Sequence, residues 1–505
     1  MAALCASIVW QEFPPSADYP QHLAMARELR DLLLGAGDGQ LVPWTYNGLF
    51  EMAAGLIALV LPIDLSGRIV LASGVALTGF AVSRLVRFCG RPPAHAFAWL
   101  PLAYSFSLSW GFINFILSVA LATLSLICWL EKRSAATFIL LSLLTGAAHV
   151  LGGIALALGV LVGAVLRIRE VGAASQLILL SAWLGVAHLA VDPPPHLPWA
   201  SQTFWPSWSQ RARLDETLLG SWGGPADEWL AAVVGVIAIM GLVTGVFRSW
   251  RQRRLTSRQP FHFLTPAAAA VYAVGPLAVF GCWFFYQRAG YLLTVWGPAM
   301  LPSLRLGRWK TAQTVVLAAT GVLSTVNFLV HNRVGPEAPH AQAIINAVPD
   351  GAKVAPVLAL SPGESVSEAL RGGPGSDALV WAHFPAYAVA LRGAEITWMF
   401  AREHGHFPVR LPVRQGLELP PVDYGWSKAF HPTADYAREF NHVLVLTGRG
   451  EPTRDPKATV FGEAAADATE LAHRGRFWLY MYTPPGHDGR PAAASRESVD
   501  DRDLR

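Results

Sequence analysis

FPPSADYPQHLAMARELRDLLLG, residues Phe13–Gly35, follows a short apolar start and leads directly into a helical pattern. Pro20 suits the first turn of a helix, where its missing N–H loses no hydrogen bond, and Asp18 or Tyr19 would cap that helix. Apolar residues then recur at helical spacing and charged residues fill the opposite face, which predicts an amphipathic helix lying at a membrane surface. The apolar positions are Leu23, Ala26, Leu29 and Leu33, and the charged ones are Arg27, Glu28, Arg30 and Asp31.

Asp18 and His22 are four residues apart at the start of this helix, so they share one face. A helix N-terminus also favours an anion, because its backbone N–H groups carry partial positive charge. This placement makes the pair a candidate site. The alternative, that Asp18 only caps the helix and His22 only sits at the interface, remains open at this point.

The composition indicates a membrane protein. Of the 505 residues, 53% are hydrophobic and 15% are charged, whereas a soluble domain carries about a quarter charged residues. The mean hydropathy is +0.36. The basic residues form short clusters between apolar runs, which is a topology signal rather than a surface for nucleic acid. We therefore predict a polytopic α-helical membrane protein with a soluble portion and no nucleic-acid partner.

Apolar runs bounded by proline, glycine or charge predict about eleven to twelve membrane segments. The N-terminal run is interpreted as a truncated first helix, with an interfacial position as the alternative. The run Ala135–Leu166 would extend ~48 Å as one helix, so we split it into two near His149–Gly153. The remaining segments are Tyr46–Ile63, Arg68–Phe88, Ala96–Ser109, Gly111–Leu130, Ser175–Val191, Trp229–Phe247, Leu264–Phe285, Tyr291–Leu304 and Thr311–Val330.

Positive charge orients these segments, because basic clusters stay on the cytoplasmic side. The clusters are Arg84/Arg87/Arg91, Lys132/Arg133, Arg167/Arg169, Arg248–Arg258 and Arg305–Lys310. The segment that ends at Val330 then delivers the rest of the chain to the outer side. If the loop 13–45 is also outside, the two apolar runs between it and the cytoplasmic cluster Arg84/Arg87/Arg91 must cross the membrane an odd number of times. Tyr46–Ile63 is therefore expected to lie along the interface or to re-enter the membrane.

The chain changes character near His331, where helix-like and strand-like patterns begin to alternate. We predict three parts: a membrane domain at 1–331, an extracytoplasmic α/β domain at 332–484 and a disordered tail at 485–505. Val443–Leu446 and Phe477–Tyr482 are the expected strands. All four cysteines precede the α/β domain, so it is not held together by disulfides.

The stretch PPSADYPQHLAMA resembles the first outer loop of the GT-C membrane glycosyltransferases. It fits a P-x-x-D-x-P-x-H-L pattern at Pro15, Asp18, Pro20, His22 and Leu23, and a G-F-x-N-F element follows at Gly111–Phe115. The resemblance extends to architecture, with roughly a dozen membrane segments followed by an external α/β domain. It implies a GT-C fold in the bacterial inner (plasma) membrane.

The resemblance also implies an activity: transfer of a sugar from a polyprenyl-phosphate-type carrier to an acceptor on the outer face. In this superfamily an acidic residue of the first loop is the catalytic base or positions the acceptor, which makes Asp18 the expected general base. The implied partners are membrane lipid, the polyprenyl-linked sugar donor, and a glycan, lipid or protein acceptor. No cofactor is expected, since the lipid-linked sugar is itself the donor substrate.

The sequence departs from the family in two places. Tyr19 follows Asp18 where many members carry a second acid, and we expect Tyr19 to contact substrate. The later outer loop reads SLSWGFINF and offers Trp110 and Asn114 in place of an acidic motif. A metal held by paired carboxylates is therefore disfavoured, and no metal is predicted. Trp110 and Asn114 become substrate-binding candidates, although an asparagine at this position commonly bonds across helices.

Three further residues complete the predicted site. Arg288, in the apparent outer loop YQRAG, is the candidate for stabilising the leaving phosphate, and His22 can assist by charge or hydrogen bond. His149 lies at membrane depth, where ionisable groups usually face the bundle interior or a cavity. The alternatives are a lone interfacial arginine at position 288 and a histidine at position 149 that is satisfied by a neighbouring carbonyl.

Two other functions stay open. The first is a non-catalytic GT-C-fold protein in envelope assembly, which the missing acidic motif favours. The second is a transporter of lipid-linked glycans. It is the weaker alternative, because the ionisable groups cluster toward the outer face and no matching pair of broken segments is evident.

Overall fold

The structure, a computed structural model, describes residues 2–165, 172, 203–212, 260–300 and 337–484, apart from positions 12, 15, 43, 44, 46, 104, 280, 281, 372–378, 401–406, 413–421, 431–433 and 450–453. The first helices are α1 (Ala2–Trp10), α2 (Tyr19–Leu33), α3 (Leu49–Ile57), α4 (Ile63–Phe88), α5 (Phe106–Trp110), α6 (Ile113–Leu130), α7 (Ala135–Ala148), α8 (Val150–Val165), α9 (Trp208–Ala212), α10 (Pro260–Val274) and α11 (Phe285–Trp296). The 3₁₀ helices Pro93–Leu102 and Gly297–Ala299 lie among them. The C-terminal helices are α12 (Glu337–Ala347), α13 (Val366–Leu370), α14 (Ala386–Arg392), α15 (Ala434–Glu439) and α16 (Lys457–Phe461), and the 3₁₀ helix Gly462–Asp467 follows α16.

The strands are β1 (Gln40–Leu41), β2 (Ala278–Val279), β3 (Cys282–Trp283), β4 (Lys353–Ala359), β5 (Glu395–Ile396), β6 (Val409–Arg410), β7 (Val422–Asp423), β8 (Trp426–Ser427), β9 (His442–Thr447), β10 (Ala468–Arg474) and β11 (Phe477–Tyr482).

Two of the described helices are long and apolar enough to cross a membrane. α4 has 26 residues and α6 has 18, which at 1.5 Å per residue gives lengths of ~39 Å and ~27 Å. α7, α8 and α10 are apolar but shorter. The predicted segments Ser175–Val191, Trp229–Phe247 and Thr311–Val330 lie outside the described residues. The number of membrane segments therefore stays a prediction.

The long apolar block breaks at His149, as the length argument predicts. His149 is extended (φ −164°, ψ 137°) and separates α7 from α8. α8 then packs closely on α6, since a Cβ at Gly152 would lie 2.4 Å from Ser118 and one at Gly159 would lie 2.6 Å from Leu126. Small residues at such a crossing let two helix backbones approach each other.

Several predicted membrane segments are wrong in their bounds. Ala96–Ser109 is not one helix: it is divided between the 3₁₀ helix Pro93–Leu102 and the short α5, and Pro101, which has no N–H to donate, lies near the end of the 3₁₀ helix. The segment predicted at Leu264–Phe285 ends at Val274, where the β2–β3 hairpin begins. Tyr46–Ile63 forms only the nine-residue α3, about 13 Å long, which suits an interfacial or re-entrant helix better than a crossing.

The C-terminal part is built on one seven-stranded sheet, as the alternating pattern predicts. The strand order is β10-β11-β9-β4-β8-β7, and β5 also pairs with β4. β4 runs parallel to β9, β8 and β5, whereas β11 is antiparallel to β9 and β10. The expected strands Val443–Leu446 and Phe477–Tyr482 fall in β9 and β11. The exact boundary of this domain stays a prediction.

A buried ion pair fastens α12 to the β10–β11 turn. Arg476 is 3% exposed, and its Nε lies 2.8 Å from Oε1 of Glu337. The Arg476 guanidinium also donates to the carbonyls of Ala369 and Thr447, both at 3.0 Å, and Trp381 Nε1 donates to Glu337 Oε2 at 2.9 Å. The charges are thus enclosed by hydrogen bonds, as a buried pair requires.

Replacing Glu337 with alanine should lower the free energy of unfolding by about 3–5 kcal/mol, because it leaves the buried Arg476 without its counter-charge. Thermal unfolding of the purified protein measures the change. Glu463→Ala, at an exposed acid of the same domain, should stay within about 0.5 kcal/mol of wild type. Equal effects of the two substitutions would show that the pair contributes nothing specific.

α2 lies at the junction between the helical part and the C-terminal domain. Arg27 donates to the carbonyl of Ala390 at 3.1 Å, and the Phe400 N–H donates to Oε1 of Gln21 at 3.1 Å. β1, just after α2, pairs with β6 of the C-terminal part. The prediction of a helix with one face in water is therefore wrong for the first half of α2, which is buried on every side because the C-terminal domain covers it.

Candidate functional site

Asp18 stands directly before α2, on a loop that packs against the end of α5. The Asp18 N–H donates to the carbonyl of Trp110, and the Ala17 N–H donates to the carbonyl of Ser109, both at 2.9 Å. Gly111 permits this approach: its φ is +98°, and a Cβ there would lie 2.8 Å from the Asp18 nitrogen. Asp18 itself has helical φ and ψ, and its side chain makes no capping hydrogen bond. The interpretation of Asp18 as merely a cap is therefore wrong.

The carboxylate of Asp18 faces the C-terminal domain. Its Oδ1 lies 3.3 Å from Nε2 of His383, and the Asp18 side chain is 13% exposed. The His383 ring is stacked on Trp398, with centroids 5.2 Å apart and planes at 17°. Asp18 is therefore positioned by the helical part but contacted by the C-terminal part. Sequence reasoning missed His383, because nothing in the pattern around it distinguishes it from a structural histidine.

A buried polar network lies behind Asp18. His22 Nδ1 is 2.5 Å from Oε1 of Glu51, and Asn114 Nδ2 donates to Oε2 of Glu51 at 2.8 Å. Asn114 Oδ1 in turn accepts from the Phe50 N–H at 2.7 Å. The three side chains tie α2, α3 and α6 together. Sequence reasoning also missed Glu51, although a lone acid in the apolar run Tyr46–Ile63 is the kind of ionisable group that marks a functional position.

This network holds a positive charge on His22. Burial lowers the pKa of His22, but the charge and hydrogen bond of Glu51, the charge of Asp18 and a hydrogen bond with the Gly111 backbone outweigh it, so the pKa of His22 is raised. The imidazolium form therefore persists to higher pH than in a free histidine. The network therefore favours a positive charge behind the Asp18 carboxylate.

The stability that His22 contributes should depend on pH. Because its folded-state pKa is raised, this contribution is fully present below about pH 6.5 and is lost as the pH rises through the raised value. The difference in free energy of unfolding between wild type and His22→Gln should therefore shrink as the pH rises. Thermal unfolding from about pH 6 to pH 8.5 measures it. Glu51→Gln should flatten the dependence, and a difference that does not vary with pH would contradict the buried ion pair.

A second polar cluster brings together Arg288 and His149. Arg288 lies in α11 and not in an outer loop, so that prediction is wrong: the helix starts at Phe285 and includes it. Its NH1 is 3.3 Å from Nε2 of His149, and its guanidinium carbon lies 3.7 Å from the ring centroid of Phe112. Such contact with an aromatic face is a cation–π interaction. Arg288 is therefore packed into the bundle and is not a lone interfacial arginine.

The two side chains of this cluster are both hydrogen-bond donors. His149 Nδ1 accepts from the Leu151 N–H at 3.1 Å, so in the neutral ring the proton resides on Nε2. In that tautomer Nε2–H and the Arg288 guanidinium face each other as two donors, whereas a direct hydrogen bond from Arg288 NH1 to Nε2, 3.3 Å apart, requires that nitrogen to be unprotonated. An anionic oxygen placed against both would accept from both, which suits the arrangement to a phosphate.

Aromatic rings connect the two polar clusters. Phe112, which supports Arg288, is 6.4 Å from Trp110, and Phe284 is 4.3 Å from Trp110. Trp110 then lies 6.1 Å from Tyr424 of the C-terminal part. We call Phe112, Phe284, Trp110 and Tyr424 the aromatic bridge. It runs from the Arg288–His149 pair to the surroundings of Asp18, so Trp110 lies between the two polar clusters, and its contact with substrate stays a prediction.

A separate cavity of about 330 Å³ opens between α1, the start of α4 and the C-terminal part. It is lined by Val9, Trp10, Phe13, Asp64, Arg68, Gln342 and Leu391. The predicted site residues do not line it. The candidate site, which is the junction around Asp18 and the aromatic bridge, is therefore distinct from this cavity.

Known proteins were compared with the chain at the level of sequence and of fold. No protein-family model matches the sequence, and no curated protein matches it. The fold matches the crystal structure of ArnT from Cupriavidus metallidurans bound to undecaprenyl phosphate, with a TM-score of 0.51 and 10% sequence identity. The match covers 95% of this chain and 96% of that one. The chain has the GT-C-like fold that the sequence resemblance predicts.

Two of the predicted substrate contacts, Tyr19 and Asn114, are buried in the core of this fold. Tyr19 is 1% exposed and packs against Phe50 and Tyr387 in the core, with ring centroids 6.0 and 6.4 Å away. Its side chain points away from Asp18 because position 19 is already inside the helix. Asn114 is 1% exposed and uses both amide atoms to bond across helices, which is the alternative that the sequence left open.

His22 is likewise buried against Glu51, so it can influence the Asp18 carboxylate only through its charge. Pro15 of the loop pattern lies outside the described residues. Among the described residues, no group of three or more His, Cys, Asp or Glu side chains is arranged to hold a metal ion. The absence of a metal stays a prediction.

Proposed function

We propose that the protein is a membrane glycosyltransferase that moves a sugar from a polyprenyl-phosphate-type carrier to an acceptor hydroxyl. The observation that carries the proposal is the arrangement of two groups along one aromatic bridge in a GT-C-like fold: the Asp18 carboxylate, which is 13% exposed, and a pair of polar side chains at Arg288 and His149. ArnT, whose fold the chain shares, was crystallised with undecaprenyl phosphate bound. A polyprenyl phosphate is therefore the donor carrier that we propose.

The reaction assigns one role to each group. Asp18 removes the proton from the acceptor hydroxyl, whose oxygen forms a bond to C1 of the sugar. The bond between C1 and the carrier phosphate oxygen breaks, and the phosphate leaves with the bonding electron pair. Arg288 and His149 donate to the phosphate oxygens and stabilise the charge that develops there. The aromatic bridge lies between the two ends and offers ring faces to the sugar.

The active face lies, in this proposal, on the outer side of the bacterial inner membrane. α4 and α6 both start near α2: a Cβ at Gly67 would lie 2.6 Å from the Tyr19 hydroxyl, and Asn114 bonds to α3. Both helices end together, where Arg84 pairs with Glu131 at 3.2 Å. Arg84, Arg87 and Arg133 therefore lie at the end opposite Asp18, and the positive-inside rule favours a cytoplasmic position for that end. The C-terminal domain is then extracytoplasmic.

The experiment uses the full chain purified into proteoliposomes with a polyprenyl-phosphate-linked sugar. Mass spectrometry follows the release of free polyprenyl phosphate when candidate acceptors, namely a glycan, a lipid or a peptide, are added. In cells that lack the gene, the unused polyprenyl-linked sugar should accumulate in lipid extracts. Movement of the intact donor across the bilayer without cleavage would support a transporter. No cleavage and no accumulation would leave the non-catalytic assembly role.

A further inference from the structure

We propose that His383, a residue of the C-terminal domain, is a positioning residue for Asp18, so that the site is complete only when this domain is docked on the helical part. The inference rests on the proposed function and deepens it. It gives the C-terminal domain a part in the chemistry that goes beyond covering the membrane helices.

The contact is direct and its geometry is fixed. His383 Nε2 lies 3.3 Å from Asp18 Oδ1, and the His383 side chain is 7% exposed. One face of the imidazole is stacked on Trp398, and Phe400 packs against it edge-on at 5.2 Å. These two rings set the plane of the imidazole, and its Nε2 lies within ion-pair distance of the carboxylate. A side chain held in this way can hold its partner in turn.

The backbone around His383 is held in an unusual conformation. His383 has φ +54° and Tyr424 has φ +52°, and the His383 N–H donates to the Tyr424 carbonyl at 3.0 Å. Left-handed φ values are strained at residues that carry such side chains and persist only where the surroundings enforce them. Among the described residues four non-glycine residues have positive φ. Besides His383 and Tyr424 they include Phe284, which belongs to the aromatic bridge as Tyr424 does. The strain is therefore concentrated around Asp18 and its neighbours.

The electrostatics of Tyr424 also indicate that the segment around Tyr424 lies near Asp18. Burial raises the pKa of Tyr424, and the charges of Asp423 and Asp18 raise it further. Asp18 is thus surrounded by His383 and Tyr424 from the C-terminal domain and by His22 on its own helix, with the Glu51 charge beyond. His383 is the one of these that contacts a carboxylate oxygen in the part of the chain described by the structure.

The chemical consequence concerns the orientation of the base. A general base must be within hydrogen-bond reach of the proton that it removes. With one oxygen of Asp18 engaged by His383, the other is left for the acceptor hydroxyl. If His383 is removed, the carboxylate can rotate away, and a displacement of about 1 Å can lower a rate by about 10²-fold. The loss should appear in kcat more than in KM, because the acceptor itself is not bound by His383.

The test is a double-mutant cycle between the two residues. His383→Phe keeps a ring against Trp398 but removes the N–H, and should lower kcat by about 10²-fold. In an Asp18→Asn background the same substitution should cause no further loss, because residues that act as a unit are non-additive. His383→Gln, which retains a donor, should recover part of the activity. His473→Phe is the matched control: that histidine also stacks on a tryptophan of this domain, Trp478, and should leave kcat unchanged.

A second readout does not depend on catalysis. The Tm of the ligand-free full-length protein is measured for wild type, both single variants and the double variant. If His383 holds Asp18, the losses in Tm are non-additive, since contacting residues couple in stability. Additive losses would overturn the inference even if the protein transfers no sugar. If wild type transfers sugar but His383→Phe lowers kcat equally with and without Asp18, the inference fails and the proposed function stands.

Discussion

Sugar transfer by Asp18→Asn is expected to be slower than that of wild type by about 10²- to 10⁴-fold, the range that a general base contributes. Asparagine has nearly the same shape as aspartate but cannot accept the acceptor proton. The backbone hydrogen bond from residue 18 to the Trp110 carbonyl is retained, and no side-chain cap is lost. Protein yield should therefore remain close to wild type, and the Tm should fall only by the amount that the contact with His383 contributes. The rate of release of free polyprenyl phosphate from the donor measures the effect.

Asp64→Asn is the matched control for this experiment. Asp64 is also an acid in the first turn of a helix, but it pairs with Arg68 at 2.7 Å beside the separate cavity. Its replacement should leave the transfer rate unchanged. Transfer at the wild-type rate by Asp18→Asn would remove the carboxylate from the reaction. The GT-C fold would then be better explained by the non-catalytic assembly role.

Local signals in the sequence predicted the parts of the fold that depend on neighbouring residues. Pro20 and the apolar spacing from Leu23 place the start of α2 at Tyr19, and the excessive length of Ala135–Leu166 requires the break seen at His149. The loop pattern around Asp18 led to the GT-C fold, which the ArnT comparison confirms. Each of these follows from hydrogen bonding or helix geometry within a few residues.

The residues that complete the site could not be found in this way, because they meet through tertiary packing. His383 reaches Asp18 from the far end of the chain, and Arg288 meets His149 only because α11 packs beside the α7–α8 break. Glu51 is different. An acid within an apolar run is a signal in its own right, and it was available in the sequence. Tyr19 is adjacent to Asp18 in the sequence, but neighbouring side chains on a helix point in different directions, and that of Tyr19 is buried in the core.

Arg288→Met is expected to lower kcat/KM for the lipid-linked donor by about 10²- to 10³-fold, the loss seen when one preorganised donor to a developing charge is removed. Methionine fills similar space beside Phe112 but cannot stabilise the phosphate. The kcat/KM of Arg288→Lys should fall between those of wild type and Arg288→Met, because an ammonium keeps the charge but loses the planar fork and its stacking on the ring. Inhibition by added polyprenyl phosphate provides the second measurement. It should weaken in parallel if the guanidinium binds the carrier phosphate.

Arg84→Met serves as the control, since Arg84 pairs with Glu131 at the opposite end of α4 and should affect neither measurement. His149→Phe separates the two members of the donor pair. It retains an aromatic ring beside Phe115 but removes Nε2–H, so it should weaken phosphate inhibition without abolishing the effect of Arg288. If polyprenyl phosphate inhibits Arg288→Met and Arg84→Met equally well, the carrier phosphate binds elsewhere. Arg288 would then serve only to hold α11 against Phe112 and Phe115 through its cation–π contacts.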